Sequence, residues 1–64
     1  MKNNIRVLRK ELRLRQEDVA KMVGVTRQTI IAIENGRYNP TLELAIKLAK
    51  LFDTPVEEIF RLEE

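Results

Sequence analysis

The apolar positions of the chain fall at helical spacings. Ile5, Leu8 and Leu12 recur at intervals of three and four, which predicts a first helix over about 4–13, broken by Leu14 and Arg15. Val19, Ala20 and Val23 predict a second over about 16–23. It stops at Gly24, a residue suited to the left-handed conformation that follows a helix. Thr26 reads as the cap of a third helix over 27–35, with Ile30 and Ile33 on its apolar face and Asn35-Gly36 as its stop. Arg37 to Pro40 read as a loop. Thr41 then caps a fourth helix over about 42–52, with Leu44, Ala45, Leu48, Ala49 and Phe52 on its inner face. A short fifth helix over about 55–60 has Thr54 as cap, Pro55 at its first position and Glu57 completing a capping box, and it buries Val56 and Ile59. Five helices with no strand of any length predict an all-α fold.

The second and third helices form a pair joined by a very short turn. Ala20 is small where the helices cross, Gly24 permits the sharp turn, and Val25 plugs the corner. Ile30 and Ile33 pack back on Val19 and Val23. Such a turn forces a steep crossing and leaves the start of the third helix protruding. A helix end of this size fits the DNA major groove. Arg27 and Gln28 occupy that end, off the apolar face. Arg can bond guanine O6 and N7, and Gln can pair with adenine N6 and N7. The same side chains could serve only to solubilise a helix start; on a protruding helix, base reading is the stronger assignment.

Composition narrows the chemistry. The 64 residues suit one domain spanning 1–64. A chain of this size buries only about 60% of the surface its unfolded form exposes, so modest stability is expected. There is no cysteine and no histidine, which excludes disulfides and thiolate or imidazole metal sites. With no phosphate-binding glycine loop and no room for a deep pocket, an enzyme is not expected, and no metal, cofactor or small-molecule ligand is implied. Absence of cysteine suits a cytoplasmic location. No apolar run is long enough for a membrane span, and MKNNIRVLRKEL has no apolar stretch for a signal peptide.

Net charge is +2 but unevenly placed. Residues 1–15 hold six bases and one acid, residues 16–40 three of each, and residues 41–64 three bases and six acids. Such asymmetry suits a chain with one end that meets a polyanion and one that does not, although solvated helix faces would also give it.

The string QEDVAKMVGVTRQTIIAIENG, residues 16–36, resembles the helix-turn-helix of the Cro/C1-type (XRE) repressors. The matching positions are Gln16, Ala20, Gly24, Val25, Ile30, Ile33, Glu34, Asn35 and Gly36. The stretch RYNPTLELAIKLAKLFDTPVEEIF is similar to short stand-alone members, such as cytolysin-repressor-like regulators. The resemblance covers essentially the whole chain. It implies a compact five-helix lambda-repressor-like DNA-binding domain, with a helix-turn-helix unit at 16–35 and a recognition helix at 27–35. In short members the chain ends can form a small two-stranded sheet, which here would pair Lys2–Asn4 with Phe60–Glu63.

The resemblance also implies roles. Arg27, Gln28 and Ala32 would face bases, with Thr29 at the groove edge. Gln16 would bond a phosphate and could brace Gln28. Asn35 and Arg37 would meet phosphates, with Tyr38 and Asn39 assisting. Arg9 would form a partly buried salt bridge to Glu34, a structural role. Two positions depart from the pattern. Arg15 stands where a capping residue would precede Gln16, so Asp18 is expected to bond back to the free N–H groups, and Arg15 to reach a phosphate. Ala32 offers only methyl contact. Ile31 is either a thymine-methyl contact or a core-edge residue.

One such unit reads few base pairs, so a homodimer on a two-fold operator is expected. Candidate interface residues are Leu42, Ile46, Ile59, Phe60 and Leu62, in the acidic half; Phe60 could instead cover its own core. The expected function is a sequence-specific regulator of double-stranded DNA, in the sense of a repressor. The alternative is a protein-interaction module, such as an antitoxin or anti-activator, whose partner surface is the fourth and fifth helices.

Overall fold

The computed structural model describes residues 1–63. In chain order it contains β1 (Lys2–Asn3), α1 (Ile5–Glu11), α2 (Gln16–Val23), α3 (Arg27–Glu34), α4 (Leu42–Phe52), α5 (Val56–Ile59) and β2 (Phe60–Arg61). The expected five helices are present, with a small sheet at the chain ends.

The first four helices share one stop. Each ends in a residue of positive φ: Arg13 at 58°, Gly24 at 76°, Gly36 at 72° and Asp53 at 51°. In each, the next N–H folds back to a carbonyl five residues earlier. The pairs are Leu14 to Arg9 at 3.0 Å, Val25 to Ala20 at 2.9 Å, Arg37 to Ala32 at 2.9 Å and Thr54 to Ala49 at 3.0 Å. This is the Schellman arrangement, which satisfies carbonyls that a helix end would otherwise leave free. Two of the stops carry glycine; the other two place Arg13 and Asp53 in a conformation that L-residues adopt at a cost.

These stops correct two boundaries. α1 ends at Glu11 rather than near 13. The chain reverses at Arg13, so Leu12 is 50% exposed and Leu14 packs against the core. Thr54 does not cap α5. Its N–H closes α4 and its hydroxyl donates to the Phe52 carbonyl at 2.9 Å. Pro55 is the cap residue, α5 starts at Val56, and the expected Glu57 capping box does not form.

The sheet pairs Lys2 with Arg61 and Asn3 with Phe60, antiparallel. The Asn4 N–H continues it to the Ile59 carbonyl at 3.1 Å. The pairing is shorter than Lys2–Asn4 with Phe60–Glu63, and the terminal ammonium of Met1 meets Glu63 at 3.6 Å.

The core draws on every helix. Ile5, Val19, Ile30, Ile33, Leu48 and Ile59 are its most deeply buried large side chains, and Val25 packs on it from the α2–α3 corner. Ile59 and Phe60 are both buried in this core, so neither is offered to a partner as the sequence suggested. α5 turns Val56 and Ile59 toward the core and leaves Glu57 and Glu58 exposed, so its apolar side is spent holding the chain end on the domain.

Candidate nucleic-acid interface

The start of α3 is set by Thr26. Its hydroxyl oxygen accepts the Thr29 N–H at 3.3 Å and lies 3.1 Å from the Thr29 hydroxyl. This satisfies a donor that the helix start would otherwise leave free. Arg27 and Gln28 follow at once and are both exposed, while Ile30 and Ile33 anchor the opposite face. Thr29, Ile31 and Ala32 are half-buried. The Thr29 hydroxyl is engaged at the cap, which makes Thr29 a brace for the helix start.

The other end of α3 is locked by Glu34, whose side chain is 0% exposed. Arg9 donates to it twice, from Nε at 2.8 Å and from Nη2 at 3.2 Å, and its Nη1 reaches the Leu14 carbonyl at 3.0 Å. Arg6 Nε adds a bond at 3.3 Å and Gln16 Nε2 another at 3.2 Å. Burial pushes the Glu34 carboxyl up. The bonds from Arg9 and Gln16, the Arg9 charge and the Arg6 bond outweigh that, so it sits below its ordinary value. One carboxylate thus ties α1 and α2 to the end of α3.

The expected Arg9–Glu34 bridge is present, and two neighbours join it. Gln16 spends an amide N–H on Glu34, and among the described residues it makes no hydrogen bond to Gln28. The brace suggested for Gln28 is therefore absent. Arg6 was not assigned from sequence, although it lies one helical turn before Arg9. Its Nη2 also donates to Asn35 Oδ1 at 3.3 Å. Asn3 was missed as well. Its Nδ2 donates to the Ile33 carbonyl at 2.8 Å, bracing α3 from the terminal sheet across thirty residues of chain.

This arrangement, an exposed polar helix start on a two-helix unit anchored in the core, has close counterparts. The helix-turn-helix family matches residues 5–59. The chain belongs to the Cro/C1-type helix-turn-helix family. An uncharacterised HTH-type transcriptional regulator of Methanocaldococcus jannaschii is 53% identical over 64 residues, covering 100% of this chain and 97% of that protein. The cryptic phage CTXphi transcriptional repressor RstR of Vibrio cholerae is 44% identical over 57 residues, 89% of this chain and 51% of that protein. The restriction-modification controller protein C.AhdI from Aeromonas hydrophila superposes with a TM-score of 0.78 at 34% identity, over 88% of this chain and 85% of that one. The P22 c2 repressor, solved in complex with a synthetic operator, superposes with a TM-score of 0.80 at 34% identity, over 83% and 80% of the two chains. The family is one of transcriptional regulators, not enzymes.

Within this helix-turn-helix domain, the remaining candidates surround α3. The Arg15 N–H donates to Asp18 Oδ2 at 2.8 Å, so Asp18 supplies the cap that Arg15 cannot. That bond is the main reason the Asp18 carboxyl lies below its ordinary value. The Arg15 side chain is mostly exposed and pairs loosely with Glu17 and Asp18, at 3.3 and 3.4 Å. Arg37, Tyr38 and Asn39 are all exposed on the loop that leaves α3. Away from α3, Leu42 is 75% exposed and Ile46 43%, one turn apart on α4, and Leu62 is exposed beyond β2. Among the described residues no helix is long and apolar enough to cross a membrane, and no acidic cluster could hold a metal ion.

Proposed function

We propose that this chain is a repressor that binds a two-fold DNA operator as a homodimer, with α3 in the major groove. The observation that carries the reading is the exposed pair Arg27 and Gln28 at the start of a helix whose other side is anchored by Ile30 and Ile33 and whose far end is locked by Glu34. A base reader needs this rigidity, because a bidentate contact is lost when its backbone drifts. Likeness to the P22 c2 repressor in complex with its operator supports it.

In this reading Arg27 and Gln28 contact base edges and Ala32 meets a thymine methyl group. Arg15, Arg37, Tyr38, Asn39 and the amide N–H groups of Gln16 and Asn35 contact phosphates and set the register. Leu42 and Ile46 pair with a second copy, with Leu62 as a further candidate contact in the chain end, in a cytoplasmic domain spanning 1–64. Repression follows from occupancy: a bound dimer keeps polymerase from the promoter.

Binding-site selection with the purified chain tests the proposal. The expected product is a two-fold sequence with half-sites about 34–36 Å apart, one helical turn or a multiple of it. Recovery of no enriched sequence at low salt would exclude it and leave the protein-interaction reading in its place.

A further inference from the structure

Three elements meet at one short side chain. Asn3 stands on β1, where its backbone pairs with Phe60 of β2. Its Nδ2 donates to the Ile33 carbonyl in the last turn of α3 at 2.8 Å, and its Oδ1 accepts the Ile5 N–H at the start of α1 at 3.2 Å. The Ile33 carbonyl also accepts the Gly36 N–H at 3.0 Å, so both of its lone pairs are used. One amide therefore starts one helix and holds the end of another.

The strand behind Asn3 is fixed. Ile59 and Phe60 are buried in the core, the Asn4 N–H reaches the Ile59 carbonyl at 3.1 Å, and Asn4 Nδ2 reaches the Glu58 carbonyl at 3.3 Å. The Met1 carbonyl lies beside the Gly36 stop, 3.5 Å from where a Cβ would stand. Two kinds of tie thus hold the far end of α3, and they differ in slack. Arg6, Arg9 and Gln16 reach Glu34 from side chain to side chain, through flexible stems. Asn3 joins a paired strand to the backbone of α3 itself through a short side chain, which leaves the helix little room to pivot about Thr26.

We propose that Asn3 is a positioning residue for sequence reading: acting through the Ile33 carbonyl, it sets the angle at which α3 presents Arg27 and Gln28. The inference rests on the function proposed above. A designed contact holds only within about 0.5 Å of its productive geometry, and a bidentate base contact is the most demanding kind. Phosphate contacts made by long exposed side chains follow a small tilt of the helix and carry no sequence information. Loss of the Asn3 tie therefore lowers discrimination between sequences more than it lowers affinity for DNA at large.

The test uses the full chain and two duplexes of equal length, the sequence recovered by selection with the wild type and an unrelated one. Asn3→Asp keeps an acceptor for the Ile5 N–H and loses the donor to Ile33. Asn3→Ser keeps a neutral capping oxygen and falls one bond short of Ile33. Neither strands the Ile33 carbonyl, which retains the Gly36 N–H. The expected result is that the ratio of the two affinities falls about tenfold in both variants, the scale of one weakened base contact. The added charge of Asn3→Asp weakens both duplexes alike and cancels in the ratio. Partial unfolding cancels too, because it scales both affinities by the same competent fraction. A brace that served stability alone would therefore leave the ratio unmoved, and a wild-type ratio in both variants overturns the proposal. Loss of helical content in both would also overturn it, making Asn3 a stability residue. A wild type that binds the two duplexes equally overturns the function on which the proposal rests.

Discussion

Arg9 on α1 and Glu34 on the last turn of α3 meet through two hydrogen bonds, 2.8 and 3.2 Å long, with the carboxylate fully buried and the arginine side chain 11% exposed. Breaking such a pair from one side strands a buried charge and typically costs ~3–5 kcal/mol. Arg6 and Gln16 would remain on the carboxylate, so Arg9→Ala is expected to destabilise the fold by about 3 kcal/mol, the lower end of that range. Urea denaturation gives the value. A midpoint equal to that of the wild type would mean that the bridge does not hold α1 to α3.

The same carboxylate makes stability depend on acid. Its folded pKa is depressed, so its contribution is fully present above the ordinary glutamate value and is lost as pH falls through the folded value. Wild-type stability should decline over the interval below about pH 5, beginning around the ordinary glutamate pKa of ~4.3. Glu34→Gln should be less stable at neutral pH and decline less steeply over that interval. Parallel pH profiles for the two proteins would contradict this.

Arg27 has no ion pair among the described residues and is exposed, so its loss should leave folding alone. Arg27→Ala is expected to weaken binding to the selected operator by about 1–3 kcal/mol, the worth of one bidentate base contact, and to relax preference at one base pair. Its thermal midpoint should match the wild type. Equal operator binding by variant and wild type would remove Arg27 from the base readers.

The shared helix stop gives opposite outcomes at two positions. Gly24 sits at φ 76° with nothing within 4 Å of an added Cβ, so Gly24→Ala meets only backbone strain and should cost about 1 kcal/mol. Arg13 occupies the same conformation at φ 58° with a side chain, so Arg13→Gly should stabilise by about 0.5 kcal/mol, strain relief set against glycine entropy. Thermal melts of both variants check the signs.

Leu42 and Ile46 form the exposed apolar stripe of α4. If two copies meet there, Ile46→Lys should be monomeric by sedimentation at concentrations where the wild type is a dimer. It should keep its helical content and lose operator affinity. A wild type that sediments as a monomer would remove the dimer from the reading, and a variant that stays dimeric would place the pairing surface elsewhere.

The sequence by itself determined the helices, the α2–α3 unit and the exposed Arg27 and Gln28 on it. Those features are local: apolar spacing sets the buried face, Thr26 and Thr41 bond N–H groups three residues on, and Gly24 and Gly36 suit left-handed stops without strain. The Arg9–Glu34 pair was legible only through family resemblance, since its members lie 25 residues apart. Tertiary structure decided the rest. Arg13 and Asp53 take the stop conformation without a glycine to announce it, which exposes Leu12 and removes Thr54 from α5. Packing of α5 against the core turned Ile59 and Phe60 inward, away from any partner. Arg6, Gln16 and Asn3 found their partners on α3 only once the chain had folded. A side chain's helical face is set by the spacing of its near neighbours; its partner on another element is set by how the elements pack.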